Sequence, residues 1–168
     1  MADEPIRIEA YDPTWPAQFE KERKALLETI GDRITGGLHH VGSTAVPGLD
    51  GKPIIDILVG VQDLPGSRAC FGDLRRLSYL YAPYRADEMH WFCKPHPSRR
   101  THHLHLVPTN SPRFREELAF RDHLRSHSRA ASEYGALKRR LAVEFKHDRE
   151  AYAAAKGAFI RDALRRRA

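Results

Sequence analysis

The sequence predicts an α+β fold, a small sheet flanked by helices and followed by a helical C-terminal third. Three observations carry this expectation. Residues Pro53 to Val61, PIIDILVGV, form a nearly continuous apolar run, the pattern of a central strand buried on both faces. Met89 to Lys94 and Thr101 to Val107 alternate in β-favouring residues around KPHPSRR, which reads as a hairpin with a six-residue loop. From Arg113 onward, apolar residues recur at spacings of three and four.

The elements follow in order. Ile6 to Ile8 reads as a short strand. Asp12 before Pro13 is a helix-start signal, an N-cap acid with proline at the first helical position. Trp15, Phe19, the aliphatic stem of Arg23, Leu26 and Ile30 then mark one face of a first helix that ends near Gly31. Leu38 to Val41 reads as a strand that stops at Gly42-Ser43, and Pro53 to Val61 is the next. Ser67 to Leu80, with Cys70 or Phe71, Leu74 and Leu77 in phase, reads as a second helix before the hairpin. Three helices close the chain: Arg113 to about His127, about Arg129 to Phe145, and one following Asp148 that carries Tyr152, Ala155, Phe159 and Ala163.

At 168 residues, with 41% apolar and 30% charged side chains, the composition is globular. No repeat, low-complexity tract or long linker divides the chain, so residues 1–168 are expected to form one domain. Chains of ~150 residues bury roughly 70% of their unfolded surface, enough for a core without disulfides. Cys70 and Cys93 form no C-x-x-C pair, which argues against a disulfide scaffold or a cysteine-rich zinc site and suits a reducing cytosol. The first 30 residues carry acids and prolines in place of the apolar core of a signal peptide, and no run approaches ~18 apolar residues, so a cytoplasmic protein with no membrane partner is expected. The net charge of +6 could serve an acidic partner. Most of the basic residues are interleaved with acids on helices, as in KRRLAVEFKHDRE, so nucleic acid is disfavoured as the partner and a small-molecule or nucleotide ligand is favoured. The oligomeric state stays open.

The chemistry-bearing residues concentrate in three places. A strand that ends in Gly42-Ser43 and turns sharply exposes backbone N–H groups and a hydroxyl, an arrangement that can hold phosphate oxygens. Asp56 interrupts the apolar strand that follows, and a buried carboxylate is costly unless paired, hydrogen-bonded or metal-bound. Its plainer alternative is a bond to backbone amides in a loop over the strand end. Next, Thr101-His102-His103-Leu104-His105 places His103 and His105 on one face of a strand and His102 on the other. The pair can share a metal or a phosphate, or be ordinary packed histidines. A metal would also need Asp56, with His40 as a further candidate. Last, Leu118, Arg121 and Arg125 share helical spacing: Arg121 can reach Asp56 or a phosphate, or belong with Arg125 to an exposed charged helix face, the reading favoured for Arg125. Arg121 and Asp122 are adjacent, so a private ion pair is not their expected role. Lys52, ahead of the Asp56 strand, is a weak candidate for neutralising phosphate.

These residues carry a resemblance. H-V-G-S-T-A-V-P-G-L-D-G-K-P-I-I-D-I-L-V (His40 to Val59), H-L-H (His103 to His105), F-R-D-H-L-R (Phe120 to Arg125) and the opening Y-D-P-T-W-P-A-Q-F (Tyr11 to Phe19) are similar to the GrpB family of nucleotidyltransferase-fold proteins. The resemblance implies a nucleotidyltransferase-like fold with a small mixed sheet that holds the site at one end. In that superfamily the Gly-Ser turn contacts a nucleoside triphosphate, and paired acids on the following strand hold divalent metals. Gly42 and Ser43, followed by Thr44, match the turn. Asp56 matches the second acid, whereas the first falls at Ile54, and the strand expected to supply a third acid carries His103 and His105.

The resemblance therefore implies a degenerate acidic site. One Asp with histidines suits a single, softer cation better than two magnesium ions, so manganese, magnesium or zinc is the implied cofactor and a nucleoside triphosphate the implied substrate. Three functions compete. In the first, the protein transfers a nucleotidyl or phosphoryl group to an acceptor: Gly42, Ser43 and Thr44 hold phosphates, Asp56, His103 and His105 bind metal or act in catalysis, and Lys52 and Arg121 stabilise charge. In the second, a nucleotide or metal binds without turnover. The third, RNA association through the basic surface, lacks an aromatic-plus-basic strand motif.

Overall fold

Two amphipathic surfaces in the sequence, one helical and one stranded, find each other early in the chain. The computed structural model describes residues 4–167. Helix α1 spans Trp15–Ile30 and lays Trp15, Phe19, Leu26 and Ile30 on the sheet. It starts two residues after the Asp12-Pro13 signal, because Asp12 caps a preceding turn through the amide and hydroxyl of Thr14. A 3₁₀ turn leads into β1, Ile34–Val41. β2 is Ile55–Val61. α2, Leu64–Ser67, and α3, Phe71–Arg76, follow, then β3, Leu80–Tyr81, β4, His90–His96, and β5, Arg99–Pro108. The last third is α4, Pro112–Ser126, α5, Ser128–Glu144, and α6, Arg149–Arg167.

The sheet is mixed, with strand order β1-β2-β5-β4-β3. β2 and β5 are parallel in its centre, and the other pairs are antiparallel. Ile55, Ile57, Val59, Leu104 and Leu106 face α1 and α3 in the larger core. Val41, Leu58, Trp91, Cys93 and Val107 face the opposite way and meet Phe114 of α4. On the α1 side, the buried Glu22 accepts from the Tyr79 hydroxyl at 2.8 Å and from Lys94 Nζ at 2.6 Å, so its charge is matched inside the layer.

Three expectations need correction. Ile6 to Ile8 forms no sheet strand: the Ile6 amide bonds to Lys146 O, and the neighbouring Glu9 bridges Gly51 instead of a sheet edge. The single helix over Ser67 to Leu80 is broken. Asp63 caps a four-residue helix by accepting from the Gly66 amide, a 3₁₀ turn intervenes, and Ser78 at φ 68° ends α3 so that Leu80 enters β3. The hairpin is tighter than expected, since β4 runs to His96 and β5 begins at Arg99, leaving two connecting residues.

β1 also extends further back than the apolar pattern suggests, across an irregularity between Ile34 and Leu38. Two glycines make this possible. A Cβ on Gly60 would meet the Gly36 Cα at 2.6 Å, so the strands touch backbone to backbone there. Gly60→Ala should therefore cost about 1–3 kcal/mol of unfolding free energy in urea. Gly31→Ala, where nothing lies within 4 Å and φ is −54°, should be neutral or slightly stabilising.

Candidate functional site

The central strands decide which side chains can meet. In the parallel β2–β5 ladder Asp56 lies opposite His103, and in the antiparallel β1–β2 ladder it lies opposite Val41. Alternation then puts Asp56, His103 and His105 on the face toward α4. His103 Nδ1 is 3.0 Å from Asp56 Oδ1, and His105 Nε2 is 3.9 Å from the same oxygen. One donor atom from each of the three lies within 4.8 Å of the others.

Asp56 is held well below the usual carboxylate range. Burial opposes its ionisation, and the hydrogen bond from His103, the charges of His103 and His105, and Lys52 outweigh it. Burial also lowers His103 to about 4 against the pull of Asp56, so the ring is neutral at neutral pH and donates its Nδ1 proton. His105 moves the other way. Burial works against its charge, but Glu117 and Asp56 raise its pKa above the ordinary imidazole value.

Glu117 is the residue that sequence reasoning missed. Projecting from α4, it takes His105 Nδ1 at 3.3 Å and Arg113 Nη1 at 2.9 Å on the same oxygen. This turns His105 Nε2 toward Asp56, where it is buried without a hydrogen-bond partner among the described residues. A carboxylate behind an imidazole is the usual support for a metal-ligating histidine. The donor set therefore fits one divalent cation, with one carboxylate oxygen and two imidazole nitrogens converging on a partly dry point. In sequence, Arg113 and Glu117 are an i,i+4 pair like any on a solvated helix, so no local signal marks them.

The Gly-Ser turn is built against this point. Gly42 has φ 74° and ψ −174°, a conformation essentially confined to glycine, and a Cβ there would meet Asp56 Oδ2 at 2.4 Å. Ser43 lines the cleft, and its hydroxyl accepts a hydrogen bond from Lys138 Nζ of α5, which also donates to Asp50 O. Thr44 is 1% exposed, and its hydroxyl bonds Ile54 O and His40 Nε2, so the side chain is committed inside the fold. His40 lies on the opposite face of β1, stacked on Phe19 with ring centroids 4.7 Å apart, and does not join the cluster. Arg121 Nη1 donates to His40 O at 3.3 Å, and Arg125 Nε donates to Ala45 O at 2.8 Å, so α4 holds both ends of the turn. Contrary to expectation, Arg121 does pair with Asp122, at 2.8 Å, because its long side chain folds back around the helix surface.

All of this opens on a cleft of about 1210 Å³. Pockets for one small ligand run roughly 300–1,000 Å³, so the cleft is large enough for a small-molecule ligand. Lys52, Lys138 and Lys156 line it together with Ile54, Trp91 and Arg113. Burial lowers the pKa of all three lysines, with Lys138 and Lys156 brought to about 7 and each further depressed by Lys52.

The sequence pattern of the GrpB protein family matches residues 5–166. A glutamate-rich protein GrpB of Alkalihalophilus pseudofirmus is 33% identical over 164 residues, covering 95% of this chain and 94% of that one. A UPF0157 protein of Pseudomonas aeruginosa is 37% identical over 156 residues, covering 89% of this chain. The chain spans 62% of that relative's length and 46% of a Bacillus subtilis UPF0157 protein's. The crystal structure of the conserved protein GrpB from Enterococcus faecalis superposes with a TM-score of 0.85 at 32% identity, over 95% of this chain and 96% of that one. More distantly, GLD-2 in complex with RNP-8 (TM-score 0.59, 13% identity, 89% of this chain and 59% of that one) and the Cid1 poly(U) polymerase (0.50, 12%, 78% and 40%) share the nucleotidyltransferase-like fold.

Two outcomes test the site as built. Gly42→Ala should destabilise the protein by about 1–3 kcal/mol in urea, since alanine disfavours that backbone conformation and its methyl strikes Asp56. The lysines predict a pH dependence. With the folded pKa near 7 and the unfolded value at 10.5, the unfolded chain binds more protons between these limits, so their contribution to stability rises with pH across that window. The urea midpoint of wild type should climb from pH 7 to pH 9 relative to that of Lys156→Met.

Proposed function

This chain belongs to the GrpB family, and on that premise we propose that it transfers a nucleotidyl or phosphoryl group from a nucleoside triphosphate, with one divalent cation held by Asp56, His103 and His105. The observation that carries the proposal is the convergence of these three donors within 4.8 Å, with His105 Nε2 buried and unpartnered beside Asp56. A cation bound there would supply neutralisation of charge on the transferred group's oxygens. Two imidazoles and one carboxylate favour manganese or zinc over magnesium.

The chain's own residues have distinct tasks in this reading. Gly42 lets the turn pack directly against Asp56 at the edge of the cleft, and the Ser43 hydroxyl, steadied by Lys138, meets phosphate oxygens. The Thr44 side chain acts from behind by bracing the turn against Ile54 O. Arg121 and Arg125 keep the turn in place through its carbonyls, while Lys52 faces developing negative charge from the cleft wall. Glu117 keeps His105 in one orientation, and His103 is either a ligand or the base that accepts a proton from the attacking group. Cys70 and Cys93 are buried free thiols, which supports a reducing, cytoplasmic setting. No helix of the described residues is long and apolar enough to cross a membrane.

A second reading has its own observation. Ile54 stands where the strand's first acid would be and lines the cleft, which favours a nucleotide- or metal-binding module without turnover. The same experiment separates the two. With Mn²⁺ or Zn²⁺ at about 100 times Kd, wild type should gain ~2.7 kcal/mol and several degrees of melting temperature, and Asp56→Ala should lose the gain. Release of pyrophosphate or nucleoside diphosphate that stops in Asp56→Ala supports the transferase. A metal-dependent shift with no product, whatever the nucleotide, supports the module. Turnover by Asp56→Ala at the wild-type rate removes the site assignment altogether.

A further inference from the structure

The cleft wall formed by the C-terminal helices holds cations that the metal cluster does not account for. Lys138 lies on α5 and is 2% exposed, Lys156 lies on α6, and Lys52 precedes β2; the last two are half-buried. Lys52 Nζ is 5.2 Å from the Tyr152 ring centroid and Lys156 Nζ is 4.5 Å from the same centroid, so the two ammonium groups are no more than about 10 Å apart. Lys138 Nζ lies 5.0 Å from the Tyr134 ring. Aromatic faces thus stand in for the anions such groups would ordinarily seek.

Among the described residues, the lysine that forms a carboxylate ion pair is Lys94, on the other side of the sheet. The carboxylate of Asp50, beside Lys138, is taken by Arg139. Asp56 is thus the carboxylate whose charge reaches all three lysines, with Asp50 also favouring the charged form of Lys138, and it is shared with His103 and His105. Three ammonium groups gathered around one cleft repel one another and destabilise the empty protein. Such an arrangement is expected to persist where a ligand needs it.

We propose that Lys52, Lys138 and Lys156, with the Ser43 hydroxyl, form a subsite for linked phosphates, the polyphosphate part of a nucleoside triphosphate or similar ester. The nucleoside part of this assignment rests on the function proposed above, whereas the polyphosphate part stands on the lysines. A single phosphate brings at most about two negative charges and cannot match three cations spread over two helices and a loop. A chain of phosphates brings more charge and more acceptor oxygens, and it can span from Lys138 beside the turn to Lys156 beside Tyr152. Because α6 supplies Lys156 and Tyr152, the subsite is complete only with that helix docked.

The test uses inorganic probes, with chelator present and no nucleoside. Orthophosphate, pyrophosphate and tripolyphosphate are titrated at pH 6.5 and physiological salt into wild type, Lys156→Met, Lys156→Arg and Asp56→Asn, and melting temperatures are recorded for each. Charge-assisted hydrogen bonds are individually strong, so tripolyphosphate should bind wild type about tenfold or more tighter than orthophosphate, and Lys156→Met should lose about tenfold. Lys156→Met should melt no lower than wild type, which separates lost binding from lost folding, and Lys156→Arg should retain most of the affinity. Asp56→Asn should bind tripolyphosphate at least as well, because a negative charge has been removed. Equal affinity for orthophosphate and tripolyphosphate, or wild-type affinity in a folded Lys156→Met, overturns the subsite. Failure of Mn²⁺ and Zn²⁺ to bind wild type, with the lysine-dependent tripolyphosphate result intact, overturns the metal reading and leaves the subsite standing.

Discussion

The parallel pairing of β2 with β5 is the constraint on which the rest depends. It sets Asp56 opposite His103, and the pleat carries His105 to the same face two residues on. A slip of β5 by one residue would turn His103 and His105 into the apolar layer against α1 and bring Leu104 out to the cleft, away from any partnership with Asp56. Parallel neighbours need a long crossover, and residues 62–98 supply it through α2, α3, β3 and β4 before the chain returns along β5. β4 arrives at the outer edge of β5 with Trp91 beside His103, at 4.8 Å between ring centroids, and covers the site from that side. The antiparallel partner on the other side, β1, delivers the Gly42 turn against Asp56. Three strands of different origin therefore meet at one carboxylate.

Burial makes that meeting electrostatically expensive, and the surrounding groups are arranged to offset it. Asp56 stays ionised because His103 donates to it and cations face it. His105 is stabilised from behind by Glu117, and Arg113 in turn ties Glu117 to Glu88. Removing one member of such a chain leaves its neighbour buried and unpaired, which costs more than the bond itself is worth. The α1 side of the sheet handles charge differently: Glu22, Lys94 and Tyr79 satisfy one another. The contrast separates a polar group that completes the fold from one that leaves valences open toward a cleft.

Much of this was legible in the sequence, and for physical reasons. An apolar run interrupted by one carboxylate identified both the central strand and its anomalous residue, since burial makes Asp56 costly wherever β2 packs. The period of two along His103 and His105 predicted their common face. What escaped notice depends on contacts distant in sequence or on local turn chemistry. Glu117, Lys138 and Lys156 sit on helices whose charge patterns resemble solvated faces, and only the packing of α4 on the sheet, and of α5 and α6 on α4, turns them inward. His40 was read without its partner Phe19, 21 positions away on α1. The break between α2 and α3 follows from the Asp63 cap and the positive φ of Ser78, which an apolar period of three and four overrides on paper but not in the backbone.

The isoleucine at position 54 and the lysines of the C-terminal helices make sense together. A site with several carboxylates can hold two divalent cations, and those cations then neutralise the polyphosphate. With Asp56 as the one carboxylate beside the two imidazoles, the cluster has one negative charge to offset one cation, and a second cation would be left largely uncompensated in a region of low dielectric. On the proposed reading, Lys52, Lys138 and Lys156 supply from the protein the positive charge that a second metal would otherwise bring. The exchange alters what the empty protein must tolerate. Bound metals come and go with the ligand, whereas lysines remain and repel one another, and burial relieves that repulsion by bringing Lys138 and Lys156 to about 7. A polyanion entering the cleft would draw protons onto the same lysines, so ligand and charge would arrive together.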